Sequence, residues 1–283
     1  MEIQKAGVVG CGLMGSGISQ VCAQSGYQVI VSEVNDELLN KGLASINNFL
    51  TRSVEKGKIS QQAKDTALGR IKGTTNMNDF FDCDLIIEAV AEDMDLKKKV
   101  FAGLDKICPR DTILATNTSA LSIIKIGTAT SRVDKVLGLH FFNPVPVMKL
   151  LEIVRTIATS DETIETCKNF GRTLGKTIVI AKDTPGFIVN RLSIPFALNA
   201  IRMLEAGLAS KEGIDNAVTM GLNHPMGPLT LADLVGLDTL YKAARDMYEK
   251  LKEPQYAPPV LLQNMIAAGW YGRKSGRGFY EYK

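Results

Sequence analysis

The stretch Ala6-Gly7-Val8-Val9-Gly10-Cys11-Gly12-Leu13-Met14-Gly15 decides the fold. A short apolar run that ends at Gly10 predicts a buried strand, and the glycines at 10, 12 and 15 then open a helix. Each glycine answers a separate need: Gly10 for a tight turn, Gly12 for close approach of backbone to a pyrophosphate, and Gly15 for close packing of helix on strand. Leu13 and Met14 begin that helix, whose exposed N-terminus faces the phosphates of a bound dinucleotide. A second strand, 29–32, ends at Glu33, about 20 residues downstream of the turn. An acid there accepts hydrogen bonds from the adenosine ribose hydroxyls and repels a 2′-phosphate, so NAD is expected and NADP is disfavoured. Glycines alone are weak evidence; strand, glycines, helix, second strand and acid in this order are not. Glu33 also reads as an acid at the start of the next helix, just ahead of Asn35 and Asp36.

Outward from this turn, strand-like runs at 3–9, 29–32, 85–90, 112–115, 136–141, 151–155 and 177–181 alternate with helical patterns. The alternation predicts an α/β fold, a Rossmann-like and mainly parallel sheet covered by helices. A helical hairpin at about 36–70 interrupts the rhythm, as a polar helix over 36–58 and a second one starting at the N-cap Ser60. After Asp183-Thr184-Pro185-Gly186 the strand patterns stop. The remainder reads as helices over 187–209, 210–220, 229–251 and 259–268, with Pro195 expected to kink the first, and as a glycine-rich aromatic tail over 270–282. The expected division is an NAD-binding domain at 1–184 and an all-helical domain at 185–283 for substrate binding and dimerisation.

The 283 residues are 45% apolar and 22% charged, enough to bury sizeable cores and unlike a disordered chain. A net charge of +3 with dispersed basic residues points away from nucleic acid and from membrane surfaces, and leaves room only for a local anion site. The five cysteines form no CxxC pair, which argues against a disulfide framework and against a metal site. No apolar stretch approaches the roughly 20 residues of a membrane span, and no signal pattern precedes the first strand, so a cytoplasmic protein is expected.

Of the two histidines, His140 ends the apolar run Val136-Leu137-Gly138-Leu139 and precedes a turn that leads to a strand carrying Glu152. Facing strands would join the two side chains. A carboxylate on one imidazole nitrogen leaves the other to take the proton of a substrate hydroxyl as a hydride departs. A buried histidine bonded to backbone, beside an ordinary strand acid, fits the spacing equally well. His224 lies in a breaker-rich turn and reads as structural or solvated.

The turn Gly10–Gly15, Ala115-Thr116-Asn117-Thr118-Ser119, Gly138-Leu139-His140-Phe141-Phe142-Asn143 running on to Glu152, Thr184-Pro185-Gly186-Phe187-Ile188-Val189-Asn190-Arg191, and Gly272-Arg273-Lys274-Ser275-Gly276-Arg277-Gly278-Phe279-Tyr280 carry a resemblance along essentially the whole chain. Together they resemble the L-3-hydroxyacyl-CoA dehydrogenase family. Length and motif order are similar to its single-function bacterial members, which implies a short-chain acyl-CoA substrate and reversible conversion of (S)-3-hydroxybutyryl-CoA to acetoacetyl-CoA.

The resemblance implies that His140 is the catalytic base and acid, that Glu152 is its partner, and that Ser119 and Asn190 bind the substrate at its reacting oxygen. It implies that Glu92, Lys97, Asn117, Ser119, Asn143 and Lys274 line the dinucleotide, that Arg52 and Lys56 in the hairpin meet the coenzyme A phosphates, and that the protein is a homodimer. Read locally, Ser119 is a helix N-cap before Ile123, Asn190 a polar helix residue, Lys97 part of a solvated charge run, and the hairpin cations a solvated helix face. Three positions depart mildly from the family pattern: Cys11 between the glycines, Glu33 where aspartate is more usual, and Ala120 where a second serine is frequent. An NAD-binding protein without turnover and a dehydrogenase of free hydroxy acids on the same scaffold are the alternatives.

Overall fold

The computed structural model describes residues 2–282, and the chain forms two compact units, Met1–Thr184 and Pro185–Lys283. In the first, β1 (Lys5–Val9) leads through α1 (Leu13–Gln24) to β2 (Gln28–Ser32), then α2 (Asp36–Glu55) and α3 (Gln61–Gly69) precede β3 (Ile71–Thr74). The chain continues through β4 (Leu85–Glu88), α4 (Met94–Ile107), β5 (Ile113–Thr116), α5 (Ile123–Gly127) and β6 (Val136–Phe141). It closes with β7 (Leu150–Arg155), α6 (Asp161–Thr173) and β8 (Thr177–Lys182).

These strands form one sheet in the order β3-β2-β1-β4-β5-β6-β7-β8. Every neighbouring pair is parallel except β6 and β7. Central strands such as Leu85–Glu88 and Ile113–Thr116 are buried throughout, which is why they read as unbroken apolar runs and not as alternating ones. The strand order reverses between β1 and β4, and in open α/β sheets ligands bind outside the carboxyl ends of the strands at such a point.

The sheet has one strand more than the sequence pattern suggested. Ile71-Lys72-Gly73-Thr74 is a four-residue edge strand with an exposed Lys72 and a glycine, so it lacks the β-branched, buried pattern that announces a strand. The hairpin forms as expected: Asn35 caps α2 by accepting from the Leu38 N–H at 2.9 Å, and Ser60 caps α3 by accepting from the Ala63 N–H at 3.1 Å. Its helices pack on α1 and on each other, and α2 buries Leu39, Gly42, Ile46 and Leu50 along one face. Gly42 lies against Cys11, where a Cβ would run into the cysteine's carbonyl and Sγ, so α2 rests directly on the glycine turn.

The second unit contains α7 (Val189–Glu205), α8 (Lys211–Gly221), α9 (Pro228–Val235), α10 (Leu237–Leu251) and α11 (Val260–Ala267). The span 229–251 is not one helix: Gly236 has φ +102°, a conformation that L side chains rarely adopt, and divides it into α9 and α10. Helix α7 runs through Pro195 as a single element. The buried Asp233 carboxylate pins the aromatic tail by accepting from the backbone N–H groups of Phe279 and Tyr280 at 3.0 and 2.9 Å and from the Tyr282 hydroxyl at 2.9 Å. Among the described residues no helix is long and apolar enough to cross a membrane.

All five cysteines are buried free thiols. Burial pushes Cys11, Cys22 and Cys83 up to about 12 and Cys108 up to about 11, and raises Cys167 as well; the Glu33 charge adds to the effect on Cys11. The thiolate is the reactive form, so a raised pKa keeps these groups protonated and inert near neutral pH. Native protein at pH 8 is expected to react with Ellman's reagent at far below one thiol per chain over minutes, and at all five after denaturation in guanidinium. Fast labelling of Cys11 in the native protein would contradict this.

Candidate active site

Gly10, at φ +95°, turns the chain at the end of β1, and its N–H donates to the Ser32 carbonyl at the end of β2 at 2.9 Å. A Cβ on Gly15 would strike the Gly10 carbonyl oxygen, so helix and strand meet as closely there as a glycine permits. Gly12 is different. A Cβ there would meet no protein atom within 4 Å, so the chain's own packing does not demand glycine, whereas close approach by a ligand would. Glu33 does not cap α2; that is done by Asn35. Its Oε1 accepts from the Cys11 N–H at 2.8 Å and its Oε2 from the Val34 N–H at 3.1 Å, which holds the carboxylate at the turn. A cleft of about 600 Å³ opens here, with Gly10, Gly12 and Glu33 in its wall together with Ala89, Leu96 and Val100. A largely apolar cleft with a glycine turn, a helix N-terminus and one acid fits a dinucleotide.

Beside the cleft, Lys97 of the expected solvated charge run is instead buried. The Lys97 Nζ, with Lys97 only 1% exposed, lies 2.6 Å from Glu88 Oε1 and 3.3 Å from Glu92 Oε2. Glu88 also accepts from the Thr116 hydroxyl and from the Val90 N–H, each at 2.7 Å. Glu92 in turn accepts from the Thr118 hydroxyl and from the backbone N–H groups of Ser119 and Ala120 at 3.0 and 3.3 Å. This chain of charges ties the loop bearing Ser119 to the end of β4. Ser119 is not a helix cap, because the position before Ile123 belongs to Ser122, and the Asp183 carboxylate accepts from the Ile123 and Ile124 N–H groups at 3.1 and 2.8 Å.

His140 and Glu152 are directly opposed residues of the antiparallel pair β6–β7. The His140 Nδ1 lies 2.7 Å from Glu152 Oε2, and both side chains are buried. Opposed residues in such a pair stand on one face with their Cβ atoms about 5 Å apart, so the register alone brings imidazole to carboxylate. Asn117 secures the strand end: its Oδ1 accepts from the Phe141 N–H at 2.9 Å. The Phe142 ring packs on the imidazole with centroids 4.4 Å apart. A carboxylate on Nδ1 keeps that nitrogen protonated and leaves Nε2 as the acceptor, and it stabilises the imidazolium once Nε2 takes a proton.

Known proteins resemble this chain along its length. Residues 5–184 match the family described as 3-hydroxyacyl-CoA dehydrogenase, NAD binding domain, and residues 186–282 match its C-terminal domain. The chain belongs to the 3-hydroxyacyl-CoA dehydrogenase family. It is 50% identical over 282 residues to a 3-hydroxybutyryl-CoA dehydrogenase of Mycobacterium tuberculosis, covering 99% of both chains. A protein of the same name from Bradyrhizobium diazoefficiens is 43% identical over 281 residues, covering 99% of this chain and 96% of that one. The crystal structure of (S)-3-hydroxybutyryl-CoA dehydrogenase from Ralstonia eutropha superposes with a TM-score of 0.97 at 43% identity, covering 100% of each chain.

As a 3-hydroxyacyl-CoA dehydrogenase, the chain places its remaining site candidates as follows. Asn143 is exposed in the turn between β6 and β7. Arg52 and Lys56 are exposed at the end of α2, where Arg52 borders a hollow of about 410 Å³ with Lys41, Ser45, Asn48 and Phe49. Asn190 and Lys274 belong to the second unit, Asn190 in the first turn of α7 and Lys274 with its Nζ 2.5 Å from Asp238. Glu88, Thr116 and Thr118 were not singled out by sequence reading. An acid closing the apolar run Leu85-Ile86-Ile87 was the available signal, since a buried carboxylate demands a partner. Lys176 gave none; its Nζ donates to the Val145 and Met148 carbonyls at 2.6 and 2.7 Å and braces the turn after His140.

Proposed function

We propose that this family member interconverts (S)-3-hydroxybutyryl-CoA and acetoacetyl-CoA. NAD supplies the hydride acceptor, and NADH the donor in reverse. His140 Nε2 takes the proton of the C3 hydroxyl during oxidation and returns one to the developing alkoxide during reduction, while Glu152 stabilises the imidazolium. The buried 2.7 Å contact between His140 and Glu152 is the observation that carries the reading. Ser119 and Asn190 hold the reacting oxygen as neutral donors, so they orient it without disturbing the base.

Gly10, Gly12, Leu13, Met14 and Gly15 hold the pyrophosphate, and Glu33 binds the adenosine ribose and disfavours NADP. Glu92, Lys97, Asn117, Ser119, Asn143 and Lys274 complete the dinucleotide site. For Lys97, burial and pairing with Glu88 make the contribution one of orienting Glu92. Arg52 and Lys56 offer their exposed cations to the coenzyme A phosphates. The second unit serves substrate binding and dimerisation; exposed Leu192, Met220 and Val235 supply apolar surface for a second copy. Buried reduced thiols support a cytoplasmic location.

The test is oxidation of NADH by the purified protein when acetoacetyl-CoA is added. Turnover is expected with the thioester and at least about 10²-fold less with free acetoacetate, because binding energy from the remote coenzyme A is used at the reacting carbon. Tight NADH binding without turnover would identify a nucleotide-binding structural or sensor protein instead. Preference for free acetoacetate would identify a hydroxy-acid dehydrogenase.

A further inference from the structure

The turn that joins β6 to β7 is clamped from two sides. Within it, the N–H groups of Val147 and Met148 donate to the Pro144 carbonyl at 2.9 and 3.0 Å. The Val145 and Met148 carbonyls accept instead from the Lys176 Nζ, at 2.6 and 2.7 Å. Lys176 immediately precedes β8 and is 9% exposed, and among the described residues no carboxylate pairs with its ammonium. Withdrawing a charge from water for two carbonyls is costly, and an apolar side chain of similar length would fill the same space without that cost. On the other side, Val145 is buried against α1, where a Cβ on Gly17 would lie 2.9 Å from the Val145 Cβ. The dyad stands close to this turn. Phe141 and Leu151 are the last pair of the ladder before it, and His140 and Glu152 are the next pair in. Phe142, just beyond β6, packs its ring on the imidazole.

We propose that Lys176 is a positioning residue for proton transfer: by holding the Val145 and Met148 carbonyls it fixes the β6–β7 turn and so keeps His140 in contact with Glu152. The inference rests on the reading of these two residues as the catalytic dyad. Without the ammonium, two carbonyls that face one point lose their donor, and acceptors left unsatisfied favour a rearranged turn that reaches water. The end of the ladder then loosens at Phe141 and Leu151, one pair from the dyad. Lys176 touches no reacting atom; it acts through backbone on the geometry of the base.

The experiment is a double-mutant cycle on kcat with acetoacetyl-CoA at saturating NADH, in wild type, Lys176→Met, Glu152→Gln and the double variant. Active sites are counted by NADH titration, so that loss of folded protein is not read as loss of turnover. Lys176→Met keeps the aliphatic stem and is expected to lower kcat about tenfold with KM for the thioester within about twofold, short of the roughly 10²-fold that misplacement by about 1 Å can cost. In the Glu152→Gln background the same substitution is expected to cost about twofold or less, because the charged contact that it disturbs is already gone. A residue that merely supports the fold would lower both backgrounds alike. Should Lys176→Met fail to fold, Gly17→Ala decides the matter in its place: its methyl group presses on Val145 from α1, leaves every carbonyl its donor, and is expected to show the same dependence on Glu152. Full turnover per active site in the folded variant, or an undiminished loss in the Glu152→Gln background, overturns the proposal. Unchanged kcat in Glu152→Gln alone would instead overturn the reading of the dyad on which it rests.

Discussion

Replacing His140 by alanine is expected to lower kcat about 10²- to 10⁴-fold, the range that positioned general acid–base groups contribute. NADH affinity is expected to change little by comparison, because the substitution removes the proton-transfer group and leaves the glycine turn that holds the dinucleotide untouched. Glu152→Gln probes the same dyad more finely. The amide keeps a similar shape and can still accept from Nδ1, but it carries no charge to stabilise the imidazolium, so a loss of about 10²-fold in kcat is expected with KM for acetoacetyl-CoA nearly retained. Steady-state kinetics alongside circular dichroism and NADH titration check both variants. Undiminished turnover in a folded His140→Ala protein would remove the mechanism.

Lys97→Met is expected to be the most destabilising of the conservative substitutions near the site, by about 3–5 kcal/mol, because it leaves Glu88 charged and buried without its cation. For a unit of this size that corresponds to a fall of roughly 10 °C in melting temperature. Glu88 and Lys97 are 0% and 1% exposed and 2.6 Å apart, so neither can turn to water when the other is lost. The exposed pair Lys135–Asp111 at 3.1 Å offers a comparison, since such pairs contribute only about 0–1 kcal/mol. Combining Lys97→Met with Glu88→Leu is expected to recover part of the loss, as removal of both charges costs less than isolation of one. A Lys97→Met protein melting within a degree or two of wild type would show that the pair does not hold the end of β4.

The site was legible where local chemistry constrained the residue. Gly10, Gly12 and Gly15 stood between a strand and a helix, and Ser60 marked its helix start, because a turn, a close approach or an unsatisfied N–H permits few residue types. It was illegible where long-range packing made the choice. Lys97 looked like one of three solvated lysines, and only the position of α4 against β4 buries it on Glu88. Ser119 looked like a cap, although Asp183, far along the chain, caps that helix. The short edge strand β3 exists because β2 offers it a partner, not because its residues favour a strand.

By itself the sequence determined that strands and helices alternate, that a dinucleotide turn opens the chain, and which side chains have the chemistry for proton transfer, since these follow from periodicity and side-chain type. It left open whether His140 was catalytic or a core histidine. Tertiary structure brought His140 onto Glu152, because the antiparallel register of β6 and β7 is a relation between residues twelve apart that no local pattern encodes, and a shift of one residue would place Glu152 on the opposite face of the sheet.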